Sequence, residues 1–274
     1  MPTVQENRAT FDVTYPWSSH GDEWSAAYGG PAMQWHGMLL PRITSFVPAG
    51  TIVEIACGYG RWTHYLKDLC EKLIVIDLSE KCINHCKKRF ENCSHISYIT
   101  TDGTSLDMIA DNSVDFIFSF DSLVHVDHSV MNSYLMHSSR ILAQEGVAFL
   151  HHSNLGEYRY FLNIQKIPKL WGILTILGVV EKSLHWRDFT VTAALVEQLA
   201  GGCGLQCISQ EIIPWGTKRA FIDCMSTIVK KTSKYSRSNR KLRNTLFPNE
   251  AQNLKALSWI YSFGRDESSP SLRT

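Results

Sequence analysis

Four acids and three histidines stand where apolar runs of this chain end. Glu54 lies in Thr51-Ile-Val-Glu-Ile-Ala-Cys-Gly-Tyr-Gly-Arg-Trp-Thr63, a β-branched run closed by a glycine turn. Gly58 and Gly60 lack a Cβ, so the backbone there can turn tightly and approach a ligand. A carboxylate at Glu54 would repel a pyrophosphate but would accept hydrogen bonds from an ammonium group. Asp77 ends a second run, Lys72-Leu-Ile-Val-Ile-Asp. An acid at that distance suits both hydroxyls of a ribose, or the N-cap of a helix opening at Ser79. Asp102-Gly103 follows Ile96–Thr100, Asp121 follows Val114–Phe120 with His125 just beyond, and His151 and His152 follow Val147–Leu150. An imidazole in such a place can take a proton from a nucleophile near neutral pH.

The elements that must hold these groups are legible as period and punctuation. Apolar runs predict parallel strands at Thr51–Ala56, Lys72–Asp77, Ile96–Thr100, Val114–Phe120 and Val147–Leu150. Helical spacing predicts Arg61–Leu69, Glu80–Phe90 and Ser129–Leu142, the last stopped by Gln144-Glu-Gly146. Ligands of open α/β sheets bind outside the carboxyl ends of the strands. The acids and histidines are therefore expected to face one mouth. A helix over Ala193–Leu199 precedes strands Leu205–Ile213 and Ala220–Val229, whose short turn makes the last hairpin antiparallel. The third glycine of a dinucleotide turn is replaced by Arg61-Trp62-Thr63.

Three segments flank this core. Residues 1–50, with Trp17, Trp24, Trp35 and His36, are expected to form a lid lining the site, with a helix over Met38–Ile43; covering an open sheet edge is the alternative. Residues 155–188 form an insertion with Tyr158-Arg-Tyr-Phe161 and the apolar Leu170–Val180, too short to span a bilayer. It suits a membrane interface, an acceptor cover or a dimer contact. Residues 231–274 are a basic tail with one helix over 251–264, where Leu254, Leu257, Trp259 and Ile260 are candidates to dock back. A solvated face or an anionic partner both suit the cations from Lys230 to Arg243.

Composition narrows the class. The 274 residues are 44% hydrophobic, enough for one full-sized α/β domain with additions. A net charge of +1 gives no field that would gather nucleic acid or a membrane. The chain starts without a basic-then-apolar signal region, and its eight cysteines read as reduced core thiols, so a cytoplasmic protein is expected. Cys82, His85 and Cys86 share a helix, but no second pair has zinc spacing and no metal is expected.

The pattern Glu54-x-Ala56-x-Gly58-x-Gly60, followed by Asp77, Asp102-Gly103 and Asp121 on successive strands, resembles the class I S-adenosylmethionine-dependent methyltransferases. Ala56 stands where that family usually has its first glycine, and Cys57 where many members have proline. Trp24-Ser-x-x-Tyr28-Gly-Gly with Gln34-Trp35, Leu40-Pro-Arg-Ile43, Phe118–His125, His151–Gly156 and Ile222–Ser226 resemble a bacterial group of small-molecule and glycan-tailoring O-methyltransferases. The resemblance implies a Rossmann-like seven-stranded sheet with helices on both faces. It implies S-adenosylmethionine as cofactor and S-adenosylhomocysteine as product, held by Glu54, Ala56, Cys57, Gly58, Gly60, Asp77, Leu78, Asp102, Gly103 and Phe120. It also implies a small-molecule or glycan hydroxyl as acceptor, contacted by Trp24, Trp35, His36 and Tyr158. His152 is the first choice for a base, then His125 and His151, with Asp121 orienting the base or binding the acceptor. An N-acceptor, a nicotinamide oxidoreductase and a non-catalytic binding module remain open, as do a homodimer and a peripheral membrane contact. Asp121-Ser-Leu-Val stands where an Asn-Pro-Pro-Tyr-like signature would serve base amines, so nucleic acid is not expected.

Overall fold

The computed structural model describes residues 3–159, 187–215 and 220–261. In chain order the strands are β1 (Ala49–Ile55), β2 (Cys70–Asp77), β3 (Ile96–Thr100), β4 (Val114–Ser119), β5 (Leu142–Ser153), β6 (Leu205–Ile213), β7 (Asp223–Lys230) and β8 (Arg240–Arg243). The helices are α1 (Val4–Ala9), α2 (Pro31–Gln34), α3 (Leu40–Ile43), α4 (Thr63–Leu66), α5 (Glu80–Arg89), α6 (His128–Ile141), α7 (Ala193–Gly202) and α8 (Phe247–Tyr261). Short 3-10 and π turns join the leading helices.

One sheet runs β3-β2-β1-β4-β5-β7-β6-β8. The first five strands in that order are parallel, and β7 is antiparallel to both β5 and β6. The order reverses at β1 and β4, whose carboxyl ends open the crevice described below. Alternate side chains feed two cores. Ile52, Leu73, Phe116, Phe118 and Phe149 pack against Trp35, Leu39, Trp62 and Leu66 on one face. Val53, Ile55, Ile76, Ile117 and Leu150 pack against Met131, Leu135 and Val196 on the other. Burying both faces of the parallel strands explains their continuous apolar runs.

Three expectations change. The sheet has eight strands rather than seven, because Arg240–Arg243 adds to the edge of β6, with Ser209 opposite Arg240 and Ile212 opposite Arg243. All four residues of β8 are exposed, so no apolar alternation betrays the strand. Strand β5 starts at Leu142, directly after α6, and Gln144-Glu-Gly146 lies inside it. Helix α8 begins four residues earlier than expected. Phe247 is buried and Leu254 packs on the first core, whereas Leu257, Trp259 and Ile260 stay exposed. The apolar run Leu170–Val180 and Tyr160-Phe161 lie outside the described residues.

Candidate active site

The turn after β1 has a backbone that only a few residues tolerate. Ala56, Gly58 and Gly60 have φ of +60°, +55° and +85°. Ala56 thus takes a glycine-like conformation with a Cβ, which costs about 1 kcal/mol. A Cβ at Gly58 would lie 2.8 Å from the ring of Trp17, so the leading segment rests directly on the turn. The Gly58 amide donates to Asp77 Oδ2 at 2.9 Å, and the Ser79 amide donates to Oδ1 at 2.9 Å. Asp77 thus ties the turn to the entry of α5 while lining the crevice, and the N-cap of α5 itself is Ser79, whose side chain accepts from the Cys82 amide. Burial raises its pKa to about 6, against the lowering effect of those amides. Glu54 is buried behind the turn and accepts from Thr63 Oγ1 at 2.5 Å. Burial pushes it up to about 8, with the Asp77 charge adding to the rise.

The crevice is a cleft enclosing roughly 900 Å³ of space, open solvent at its mouth included. Its floor carries Ala56, Cys57, Gly58, Asp77, Leu78, Gly103 and Phe120. Glu54, Gly60 and Asp102 sit behind that surface. The Asp102 carboxylate accepts from the amides of Thr104 and Ser105 at 2.8 Å each, which holds the loop carrying Gly103 and keeps its pKa low. The roof comes from the leading segment, with Val4, Asn7, Phe11, Trp17, His20 and Trp24. Trp17 stacks on Tyr59 with ring centroids 4.3 Å apart and planes 3° apart.

Beyond the floor lie Asp121, Ser122 and His125. Asp121 has φ of +63°, and its backbone amide donates to His151 Nδ1 at 3.1 Å. The ring hydrogen of His151 therefore sits on Nε2, which donates to Asp223 at 3.2 Å. Arg187 clasps the same Asp223 carboxylate with Nε and Nη2 at 3.0 and 2.9 Å. Burial works against the Asp223 charge, but Arg187 and His151 outweigh it and hold the pKa at about 2. Arg61 Nη2 pairs with Asp121 Oδ2 at 3.0 Å, and its guanidinium lies over Trp62. The result is a buried ladder, Arg61–Asp121–Arg187–Asp223–His151, with two positive and two negative members. Such a ladder is costly to break at any rung, because one charge would be left buried and unpaired.

Several expected site residues lie elsewhere. His151 and His152 are fully buried, because β5 continues through Ser153 and pairs with β7 along Asp223–Met225. His152 contacts the Ser153 carbonyl at 2.9 Å and Ser226 Oγ at 2.7 Å, away from the crevice, and burial lowers its pKa to about 4. Of the three histidines, only His125 lines the crevice. Trp35 is a core residue stacked on Tyr65, and His36 is exposed beside it. The Tyr158 hydroxyl accepts from the Phe221 amide at 2.8 Å. Trp17 lines the crevice as expected of its segment, whereas Arg61, Tyr59, Arg187 and Asp223 were missed. Arg61 is visible in the sequence only as an interrupted motif, and Arg187 and Asp223 meet through contacts 36 residues apart. All eight cysteines are free, and no cluster of three metal-ligating residues occurs among the described residues.

Residues 52–146, which span β1 to the start of β5, match a family model described as a methyltransferase domain. Curated relatives are the nodulation protein S of Bradyrhizobium diazoefficiens, 30% identical over 81 residues, and that of Rhizobium tropici, 24% identical over 150 residues. These matches cover 30% and 54% of this chain but only 39% and 60% of the relatives, under two thirds of their length. Among solved structures, the magnesium protoporphyrin IX methyltransferase of Synechocystis PCC 6803, with bound S-adenosylhomocysteine, gives a TM-score of 0.55 at 15% identity, covering 83% of this chain and 99% of that one. The N-methyltransferase NodS of Bradyrhizobium japonicum WM9 gives 0.50 at 19%, covering 73% and 97%. Residues 52–146 thus match a methyltransferase domain, and the chain shares the fold of these methyltransferases, with the crevice at its β1–β4 reversal.

Proposed function

We propose that the protein transfers the cofactor's methyl group to a hydroxyl of a small molecule or glycan sugar entering beside Asp121 and His125. The observation that carries this reading is the crevice itself. A left-handed turn with no side chain at Gly58 and a strand-tip acid at Asp77 form its floor, under an aromatic roof. That donor set suits a nucleoside with an amino-acid tail. Asp77 keeps lone pairs for ribose hydroxyls beyond the two amides it already accepts. The leucine and aromatic surfaces of Leu78 and Phe120 suit a flat base. Glu54, behind the turn, supplies negative potential for an ammonium.

When bound, the sulfonium supplies an electrophilic methyl carbon; the protein's part is alignment and proton handling. Trp17, Trp24 and Phe11 exclude water from the roof side. The Asp121 carboxylate, held between Arg61 on Oδ2 and Arg187 on Oδ1, gives the acceptor end of the crevice its negative charge. His125, on the crevice surface beside it, takes the acceptor proton as attack proceeds. An amine acceptor is the second reading. It is favoured by the likeness to an N-methyltransferase, and its neutral form needs less help from a base.

Calorimetry with S-adenosylhomocysteine and with NAD tests the cofactor directly. Micromolar binding of the first and none of the second is expected, and Asp77→Ala should weaken it by about a hundredfold or more, two charge-assisted hydrogen bonds' worth. His125→Ala should keep that affinity and lose turnover. Tight NAD binding would overturn the reading, and mass spectrometry of the methylated product separates oxygen from nitrogen.

A further inference from the structure

One fastening of the roof to the body is an imidazole pair. His20 Nδ1 of the leading segment lies 3.0 Å from His85 Nε2 of α5. One hydrogen lies between these two nitrogens, so one ring donates and the other accepts. His85 also stacks on Tyr59, with centroids 3.9 Å apart and planes 12° apart, and Trp17 stacks on the other side of that tyrosine. The stack Trp17–Tyr59–His85 and the His20 bond thus close a ring of contacts over Gly58, at the edge of the crevice. Farther along the segment, Asp12 contacts Ser79 Oγ, and its carbonyl accepts from Lys81 Nζ at 3.0 Å.

We propose that His20 and His85 are the latch of a cofactor lid formed by residues 10–24, and that a second proton on the pair releases the lid and frees the cofactor. The inference rests on reading the crevice as the cofactor site. A single added proton leaves the bond intact, because one nitrogen still donates to the other's lone pair. Two protons place hydrogens on both facing nitrogens and oppose two cations at bonding distance. The charged surroundings set where this happens. His85 faces His20 across the gap and Tyr59 on its face, with Arg89 and Lys88 on its own helix; Asp22 is the acid near His20. Burial, then His20 and the two cations, keep His85 below its ordinary value. That lowered basicity favours the closed latch, which opens as the solution turns acid.

The test needs no acceptor. Dissociation of S-adenosylhomocysteine is followed by stopped-flow tryptophan fluorescence, Trp17 and Trp24 being in the roof, with excess S-adenosylmethionine as chase. The release rate should rise about tenfold from about pH 7.5 to about pH 5.5. His20→Asn keeps an amide near the Nδ1 position, tolerates the left-handed φ of +59° there, and does not titrate. Its release rate should lack the rise that the latch gives wild type between those pH values. His85→Ala should release fast throughout. Protonation of Glu54 and Asp77 contributes equally to wild type and His20→Asn and drops out of their ratio. If His20→Asn follows the wild-type profile, or His85→Ala is slow at neutral pH, the latch is wrong. If wild type shows no S-adenosylhomocysteine binding at neutral pH, the cofactor reading falls, and the latch with it.

Discussion

Glu54 and Asp77 make the ligand-free protein a store of protons. Glu54, raised to about 8 from 4.5, is protonated in the folded chain at neutral pH and ionised in the unfolded chain. The folded state then binds more protons than the unfolded one between about pH 4.5 and pH 8. Stability must therefore fall as pH rises through that window, and Asp77 adds the same sign between its ordinary value of 3.8 and about 6. An ammonium near Glu54 favours the charged form, so cofactor binding should expel a proton. Calorimetry of S-adenosylhomocysteine binding at neutral pH in buffers of different ionisation enthalpy should show up to about one proton released, and Glu54→Gln should remove most of it. Heats that do not depend on the buffer would contradict the argument. Ala56 offers a second check. Glycine at this left-handed position relieves strain of about 1 kcal/mol but adds freedom to the unfolded chain. Ala56→Gly should be neutral to about 1 kcal/mol stabilising in urea melts, and Ala56→Val clearly destabilising. The glycine turn and Asp77 were legible because their partners lie within one strand–turn–helix unit. His151 and His152 were not. Whether they end a strand or continue inside one depends on β7, which the chain supplies more than 70 residues later.

Elements hold the crevice open by a few long-range fasteners. Arg42 of α3 donates to Glu211 of β6 with Nε and Nη2 at 2.7 and 2.8 Å, and to Glu250 of α8 with Nη1 and Nη2 at 2.8 and 2.9 Å. It stacks partly over Phe247 as well. One guanidinium thereby joins the leading helices, the last parallel edge of the sheet and the terminal helix. Arg42→Ala leaves two carboxylates half-buried and facing each other, so a loss of about 2–4 kcal/mol is expected in chemical denaturation. Glu250→Gln should cost less than half of that, because Glu211 still pairs with Arg42. Equal losses would mean that the network is not shared. The five parallel strands were legible in order from apolar runs alone, and four of them nearly in extent; β5, expected over Val147–Leu150, runs from Leu142 to Ser153. In the leading segment the helix expected over Met38–Ile43 is found at Leu40–Ile43. The other short helices and π turns were not legible, because no stretch there shows a sustained 3.6-residue period. Strand β8 carries three cations and one leucine, so only its pairing with β6 makes it a strand.

At the scale of the molecule, residues 240–261 pack onto the body of the fold and are not an appended tail. Gly37 and Gly29 of the leading segment lie so close to α8 that a Cβ would meet Leu254 Cδ2 at 2.2 Å and Ser258 Cβ at 2.4 Å. Ser258 Oγ donates to the Gly29 carbonyl at 2.8 Å. Phe247 packs edge-on to Tyr28 and against Trp215, and Trp215 lies against both Phe120 and His151. A continuous set of rings thus runs from α8 to the floor of the crevice and the charged ladder beneath it. Removing the chain after Lys230 deletes β8 and α8, strips Phe247 from Tyr28 and Trp215, and deprives Arg42 of one of its two carboxylates. Loss of Phe247 alone is worth about 3–5 kcal/mol, as for other large buried aromatics. With Leu254 and the Arg42 bridge added, the deficit approaches the whole stability of a typical domain. The truncated chain 1–230 should therefore be insoluble or cooperatively unfolded at room temperature. If it can be recovered, it should bind S-adenosylhomocysteine at least about tenfold more weakly, since the base of the lid rests on α8. A soluble 1–230 fragment with the urea midpoint and cofactor affinity of the full chain would show instead that the crevice and its lid fold without their terminal helix.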